Sequence, residues 1–191
     1  MDLEKETISQ CLKIIRYFAH KKGLQEFEEN KISYTIELLR HIKVLIDKKA
    51  TKTLQKLINE NIFNIMRNFL IDPKPIIRQN AIKFFRYLMD SQETLELYKK
   101  KHVPFFIAKS LERDTREKDS GKGNASNPGG SIIYEIIQNV KFIRKWIEIS
   151  PKTFPKMLAN SLVAFAESSD DQLKKAAIET LKSLALGFTF K

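Results

Sequence analysis

Apolar residues recur three and four positions apart along most of the chain, with polar residues filling the positions between. The clearest case runs from Lys141 to Leu186, where Ile143 and Ile147, then Leu158, Leu162 and Phe165, keep helical spacing. That spacing puts the apolar side chains on one helix face, and each helix then needs a neighbour to cover it. No stretch alternates as a half-buried strand does. Ser150, Pro151 and Pro155 end one helix and open the next, because proline fits a first helical turn and not a helix interior. Ser168, Ser169, Asp170 and Asp171 make a short turn and cap the last helix. Helix, tight turn, helix is the element of a helical solenoid.

The same grammar appears earlier in the chain. Four segments superpose: Ile36 to Ile42 (IELLRHI), Ile82 to Leu88 (IKFFRYL), Val140 to Trp146 (VKFIRKW) and Ile178 to Leu184 (IETLKSL). The first apolar column holds Ile36, Ile82, Val140 and Ile178, the second Leu39, Phe85, Ile143 and Leu181, and the third Ile42, Leu88, Trp146 and Leu184. All three fall on one face. The starts are 46, 58 and 38 residues apart, and the long middle spacing contains 18 residues rich in Gly, Asn and Ser, from Asp114 to Ser131, without which it becomes 40. Periods near 40 to 47 belong to armadillo and HEAT units. The chain therefore reads as all-α, an armadillo- or HEAT-like solenoid of about four repeats, the first atypical. It forms a single domain over 1–191, with repeats at 1–113 and 132–191 and a flexible insertion at 114–131 that has too little apolar content to order itself. Leu54 to Leu70 predicts a supporting helix or helix pair, Asp72 to Pro75 a corner, and Ile76 to Met89 a closing helix. Leu95 to Lys100 and Val103 to Leu111 repeat the approach, with Pro104 at a helix start.

Composition narrows the partners more than the fold. With 42% hydrophobic and 30% charged residues the chain is globular, and a net charge of +11 favours anionic partners such as nucleic acid, acidic protein segments or membrane headgroups. Cys11 is the only cysteine and sits among Leu12, Ile14 and Ile15, so it reads as a buried, inert thiol. Short apolar runs and the acidic start MDLEKETISQ give neither a spanning helix nor a secretory signal, so a cytoplasmic protein is expected and the Asn124-Ala125-Ser126 glycosylation match is set aside.

Catalytic chemistry is not legible. His20, His41 and His102 belong to no metal-binding cluster, and Gly121, Lys122 and Gly123 lack the spacing and the preceding strand of a phosphate loop. Asp170 and Asp171 read as a helix cap rather than a ligand pair, and Trp146 reads as core. No catalytic, cofactor or metal site is assigned. One functional feature emerges from the superposition: Arg40, Arg86, Arg144 and Lys182 share the column just after the second apolar position, on the flank of the apolar stripe where cations reach solvent. Stacked repeats would align them into a ladder for an acidic partner segment. The competing reading pairs each with an acid on the neighbouring repeat or leaves it solvated. Lys99, Lys100, Lys101 and His102 form a second basic cluster, read as a solvated helix end.

The run Ser110 to Asp114 (SLERD), followed after the insertion by IRKWIEISPKTFP and LVAFAESSDDQLKKAAIETLKSLAL, resembles the N-terminal armadillo-like region of the Rictor/Pianissimo family. It is strongest from Phe142 to Leu186, looser from Leu54 to Asp114, and before about residue 50 limited to helices. The chain departs from the family pattern in the 114–131 insertion, in the helix opening SIIYEIIQ, and in being far shorter than family members; its ending, GFTFK, reads as a truncated solenoid with Phe188 and Phe190 uncapped. The resemblance implies a non-enzymatic scaffold subunit of the second, rapamycin-insensitive TOR kinase complex. Its implied partners are the TOR kinase, companion subunits and AGC-type substrate kinases, and its implied place is the cytoplasm and the inner face of the plasma membrane. Two other readings stay open: a basic helical-repeat nucleic-acid binder, disfavoured because the aromatics fall in core columns, and an unrelated armadillo adaptor.

Overall fold

Among the described residues, the buried apolar side chains lie where one helix packs on another. The computed structural model describes residues 3–20, 25–50, 62–119 and 132–189, and these are helices joined by turns, with no strand among them. In order they are α1 (Leu3–His20), α2 (Gln25–Asp47), α3 (Phe63–Phe69), α4 (Pro75–Leu88), α5 (Gln92–Lys100), α6 (Val103–Asp119), α7 (Ile132–Ile149), α8 (Ala159–Ala166) and α9 (Asp171–Thr189). Two 3-10 turns, Pro151–Thr153 and Lys156–Leu158, link α7 to α8. The chain divides into two compact units, Met1–Leu88 and Met89–Lys191.

In the first unit α2 packs against both α1 and α4, and α3 packs on α4. Cys11, Ile14, Ile15 and Phe18 form the buried stripe of α1 at the spacing one helix face requires. Phe18 meets Phe69 of α3 edge to face at 5.4 Å, and Phe63 meets Phe85 of α4 at 5.0 Å, the perpendicular geometry that ring quadrupoles favour. The corner before α4 is Asp72, Pro73, Lys74 and Pro75, with Pro75 as the first helical residue. Asp72 Oδ1 accepts from the Lys74 N–H at 2.9 Å, fixing the turn that the prolines announce.

In the second unit α6 packs against α5 and α7, and α9 against α7 and α8. Its centre is aromatic: Tyr98 of α5 stacks parallel to Phe142 of α7, with ring centroids 6.3 Å apart, and Trp146 lies 6.0 Å from Phe142. Trp146 is fully buried, as its column requires. Ser91 caps α5 by accepting from the Thr94 N–H, and Asp170 Oδ1 caps α9 by accepting from the Leu173 N–H at 2.8 Å.

The columns hold in α4 and α7, where Ile82, Phe85, Leu88, Val140, Ile143 and Trp146 are all buried. They hold in part in α2 and slip by one residue in α9. In α2 Leu39 and Ile42 are buried as expected, beside Thr35, Leu38 and Leu45, while Ile36, expected to face the core, is 50% exposed. In α9 the buried positions are Leu173, Ala177 and Thr180, leaving Ile178 and Leu181 half-buried. In both helices a threonine takes the seam position just before an expected apolar residue. Thr35 donates its hydroxyl to the Ile32 carbonyl and Thr180 to the Ala176 carbonyl, so each enters the seam with its polar atom satisfied. The insertion also begins later than expected: α6 continues through 114–119, while 120–131 lie outside the described residues, as do residues 54–61 of the expected supporting helix and the Phe188 and Phe190 side chains.

Gly187 marks the closest approach of α9 to the turn after α7. A Cβ there would lie 2.6 Å from Pro151 Cβ and 2.8 Å from its Cγ. Alanine normally stabilises a helix over glycine by about 0.5–1 kcal/mol. At this position the sign should reverse: Gly187→Ala is expected to lose about 1–3 kcal/mol to overpacking, read as a lower urea midpoint.

Candidate functional site

The basic column divides between the units, with Arg40 and Arg86 in the first and Arg144 and Lys182 in the second. Arg40 projects from α2 with 70% of its side chain exposed and approaches Glu37 one turn earlier at 3.9 Å; His41 Nε2 lies 3.5 Å from the same carboxylate. Arg86 is half-buried, its guanidinium 5.7 Å from the centroid of the Tyr87 ring. Arg144, with 47% of its side chain exposed, donates Nε to Glu148 at 3.1 Å on its own helix and a terminal nitrogen to Glu179 of α9 at 3.3 Å. Lys182 is exposed on α9, three residues beyond Glu179. The cations thus reach the surface as their flank position requires. Arg144 also ties α7 to α9, and pairs this exposed contribute at most about 1 kcal/mol each.

The strongest electrostatic feature is inside the first unit, and sequence reasoning missed it. Lys31 of α2 and Asp72 of the corner form an ion pair at 2.6 Å, with only 3% and 7% of their side chains exposed. Fully buried Arg78 donates to the backbone carbonyls of Asp72 at 2.9 Å and Pro73 at 3.1 Å. One turn along α2, Thr35 Oγ1 accepts from Asn80 Nδ2 at 3.0 Å. Lys31 also lies 5.7 Å from the centroid of Phe69. Charge buried this deeply persists only when paired. These groups hold α2 to the α3–α4 corner and leave no open coordination geometry.

Asp170 is a cap, and among the described residues no group of three or more His, Cys, Asp or Glu could hold a metal ion. Cys11 is completely buried, which pushes its thiol up to about 12 from an ordinary 9.0. The folded thiol keeps its proton to higher pH than the unfolded one. Its contribution to stability is therefore complete below pH 9 and is lost as pH rises toward 12. At pH 8 a thiol reagent should modify Cys11 only as fast as the first unit opens, and immediate labelling of the folded chain would contradict its burial.

Among the described residues no helix is long and apolar enough to cross a membrane. No solved structure matches the chain. It is 26% identical over 167 residues to protein pianissimo A of Dictyostelium discoideum, an alignment that covers 86% of this chain and 13% of that relative. Residues 39–188 match the family described as the rapamycin-insensitive companion of mTOR, N-terminal region. The match takes in α3 to α8 whole, nearly all of α9 and only the last part of α2, so the seams of α4 and α7 and the caps of α5 and α9 belong to the matched stretch, while α1 and the Lys31 and Thr35 positions of α2 precede it. The chain belongs to the family of N-terminal regions of the rapamycin-insensitive companion of mTOR.

Proposed function

We propose that this chain is the armadillo-like part of a non-catalytic scaffold that assembles the second, rapamycin-insensitive TOR complex. The observation that carries the reading is the family match over residues 39–188. The fold supports it in kind: paired helices with buried seams offer long surfaces for protein partners. On this reading 1–191 is one domain of about four repeats, its partners are the TOR kinase, its companion subunits and AGC-type substrate kinases, and it works in the cytoplasm and at the inner face of the plasma membrane. The cations of the column, Arg40 and Arg86 in the first unit and Arg144 and Lys182 in the second, are assigned to acidic partner segments, with Arg144 exchanging Glu179 for a partner carboxylate.

Affinity purification of the full-length protein from its own cells, with mass spectrometry, tests the reading. TOR kinase should be recovered, and its repeated absence rejects the assignment. Given recovery, the Arg86→Ala/Arg144→Ala double variant should reduce the yield severalfold; an unchanged yield removes the column as a binding face. The +11 charge motivates a nucleic-acid alternative, for which binding would weaken steeply and linearly in log salt.

A further inference from the structure

The turn between α5 and α6 carries the positive-φ residue His102 between a lysine-rich helix end and the start of α6. His102 sits in the left-handed region at φ 60°, where glycine costs least. Its carbonyl accepts from the N–H groups of Phe105 and Phe106, so the turn is fixed. The first turn of α6 carries no acid, and Lys101 stands just before it, adding positive charge to the positive end of the helix dipole. The start of α9 does the opposite, with Asp170 and Asp171. From Leu97 to Leu111 there is no acidic residue and there are four lysines, Lys99, Lys100, Lys101 and Lys109. Within this basic corner Phe105 is 45% exposed, with the Lys109 ammonium 4.8 Å from its ring centroid. An exposed aromatic with a cation over its ring, beside a positive-φ turn and further lysines, offers a surface that an acidic partner could use.

We propose that the α5–α6 corner, centred on Phe105 with Lys100, His102 and Lys109, docks an acidic segment of a protein partner that carries an aromatic or aliphatic anchor. The carboxylates meet the lysines, and the anchor lies against the edge of Phe105. Charge complementarity sets the sign of the partner. The single half-exposed ring, with a cation already over it, is too little apolar surface to insert among acyl chains, which favours a peptide over a membrane. This surface is separate from the arginine column and does not depend on which kinase complex the chain serves.

The test uses the 191-residue chain, a fluorescein-labelled peptide of glutamates around a central phenylalanine, its Phe→Ala twin, and phosphatidylserine/phosphatidylcholine vesicles, all at physiological salt. The phenylalanine peptide should bind saturably and the twin severalfold more weakly. Lys100→Glu/Lys109→Glu should weaken the peptide about tenfold or more and Phe105→Ala severalfold. Circular dichroism confirms that the variants fold, and the exposed positions of the changed side chains make that the expected result. His102→Gly, which relieves the turn, should raise thermal stability while weakening the peptide. Absence of peptide binding, affinities untouched by the substitutions, or Phe105-dependent binding to the vesicles without competition from the peptide would each overturn the assignment.

Discussion

Replacing Asp72 with alanine is expected to cost the first unit about 3–5 kcal/mol, because it leaves the Lys31 ammonium buried with its carboxylate removed. The damage should exceed the loss of one ion pair. Asp72 also holds the corner through the Lys74 N–H, so the backbone whose carbonyls receive Arg78 loses its anchor in the same step. Lys31→Met should be milder, since the orphaned carboxylate keeps its bond to the Lys74 N–H. The double variant Lys31→Met/Asp72→Leu should recover much of the loss, as apolar replacements of a buried pair often do. Urea unfolding by far-UV circular dichroism gives the three values, and the double-mutant cycle isolates the pair. If Asp72→Ala unfolds within about 1 kcal/mol of the parent, the pair behaves as a surface bridge and its burial carries no energetic weight.

This pair also shows where sequence reading stops. The prolines at 73 and 75 announce the corner, and the cap at Asp170 could be placed from Ser-Ser-Asp-Asp alone, because both signals are local. Lys31 and Asp72 are 41 residues apart, the lysine after a polar run and the aspartate in a proline turn, and nothing local tells a buried lysine from an exposed one. The same distance problem hides the Arg144–Glu179 bridge, 35 residues apart. The helix seams were legible where bulky residues define them, as in α4 and α7. They slipped by one position in α9, and in α2 Ile36 alone missed, because Thr35, Ala177 and Thr180 sit in the seam and hydrophobicity alone points to the larger neighbours Ile36 and Ile178. A one-residue error turns a helix by about 100°, enough to move an isoleucine from core to surface. The column of cations survived because a flank position stays exposed through that shift. The docking corner was visible only in part: the lysines are plain in the sequence, while the exposure of Phe105 and the φ of His102 belong to the folded chain.

In the second unit, Trp146→Ala is expected to cost about 3–5 kcal/mol, the range for deleting a large aromatic side chain from a packed core. The residue is fully buried beside Phe142 and Tyr98, so its removal leaves a cavity that the surrounding helices can close only in part. Trp146→Phe should lose less than half as much. A phenylalanine ring keeps the contacts to Phe142 and Tyr98. It also removes the indole N–H, which has no acceptor in this core; a buried unpaired donor costs about 1–3 kcal/mol, offsetting part of the lost volume. Urea midpoints by circular dichroism separate the two variants. Tyr98, one of five tyrosines, gives a second readout: burial, and then the negative charge of Asp90, hold its phenol well above the ordinary range, so its share of the tyrosinate absorbance should appear only as the core opens. Alkaline titration of Trp146→Ala should therefore show tyrosinate at lower pH than the parent, with Trp146→Phe between them. Equal losses in the two variants would mean that neither the ring contacts a phenylalanine keeps nor the removal of the unpaired N–H offsets the loss of the indole.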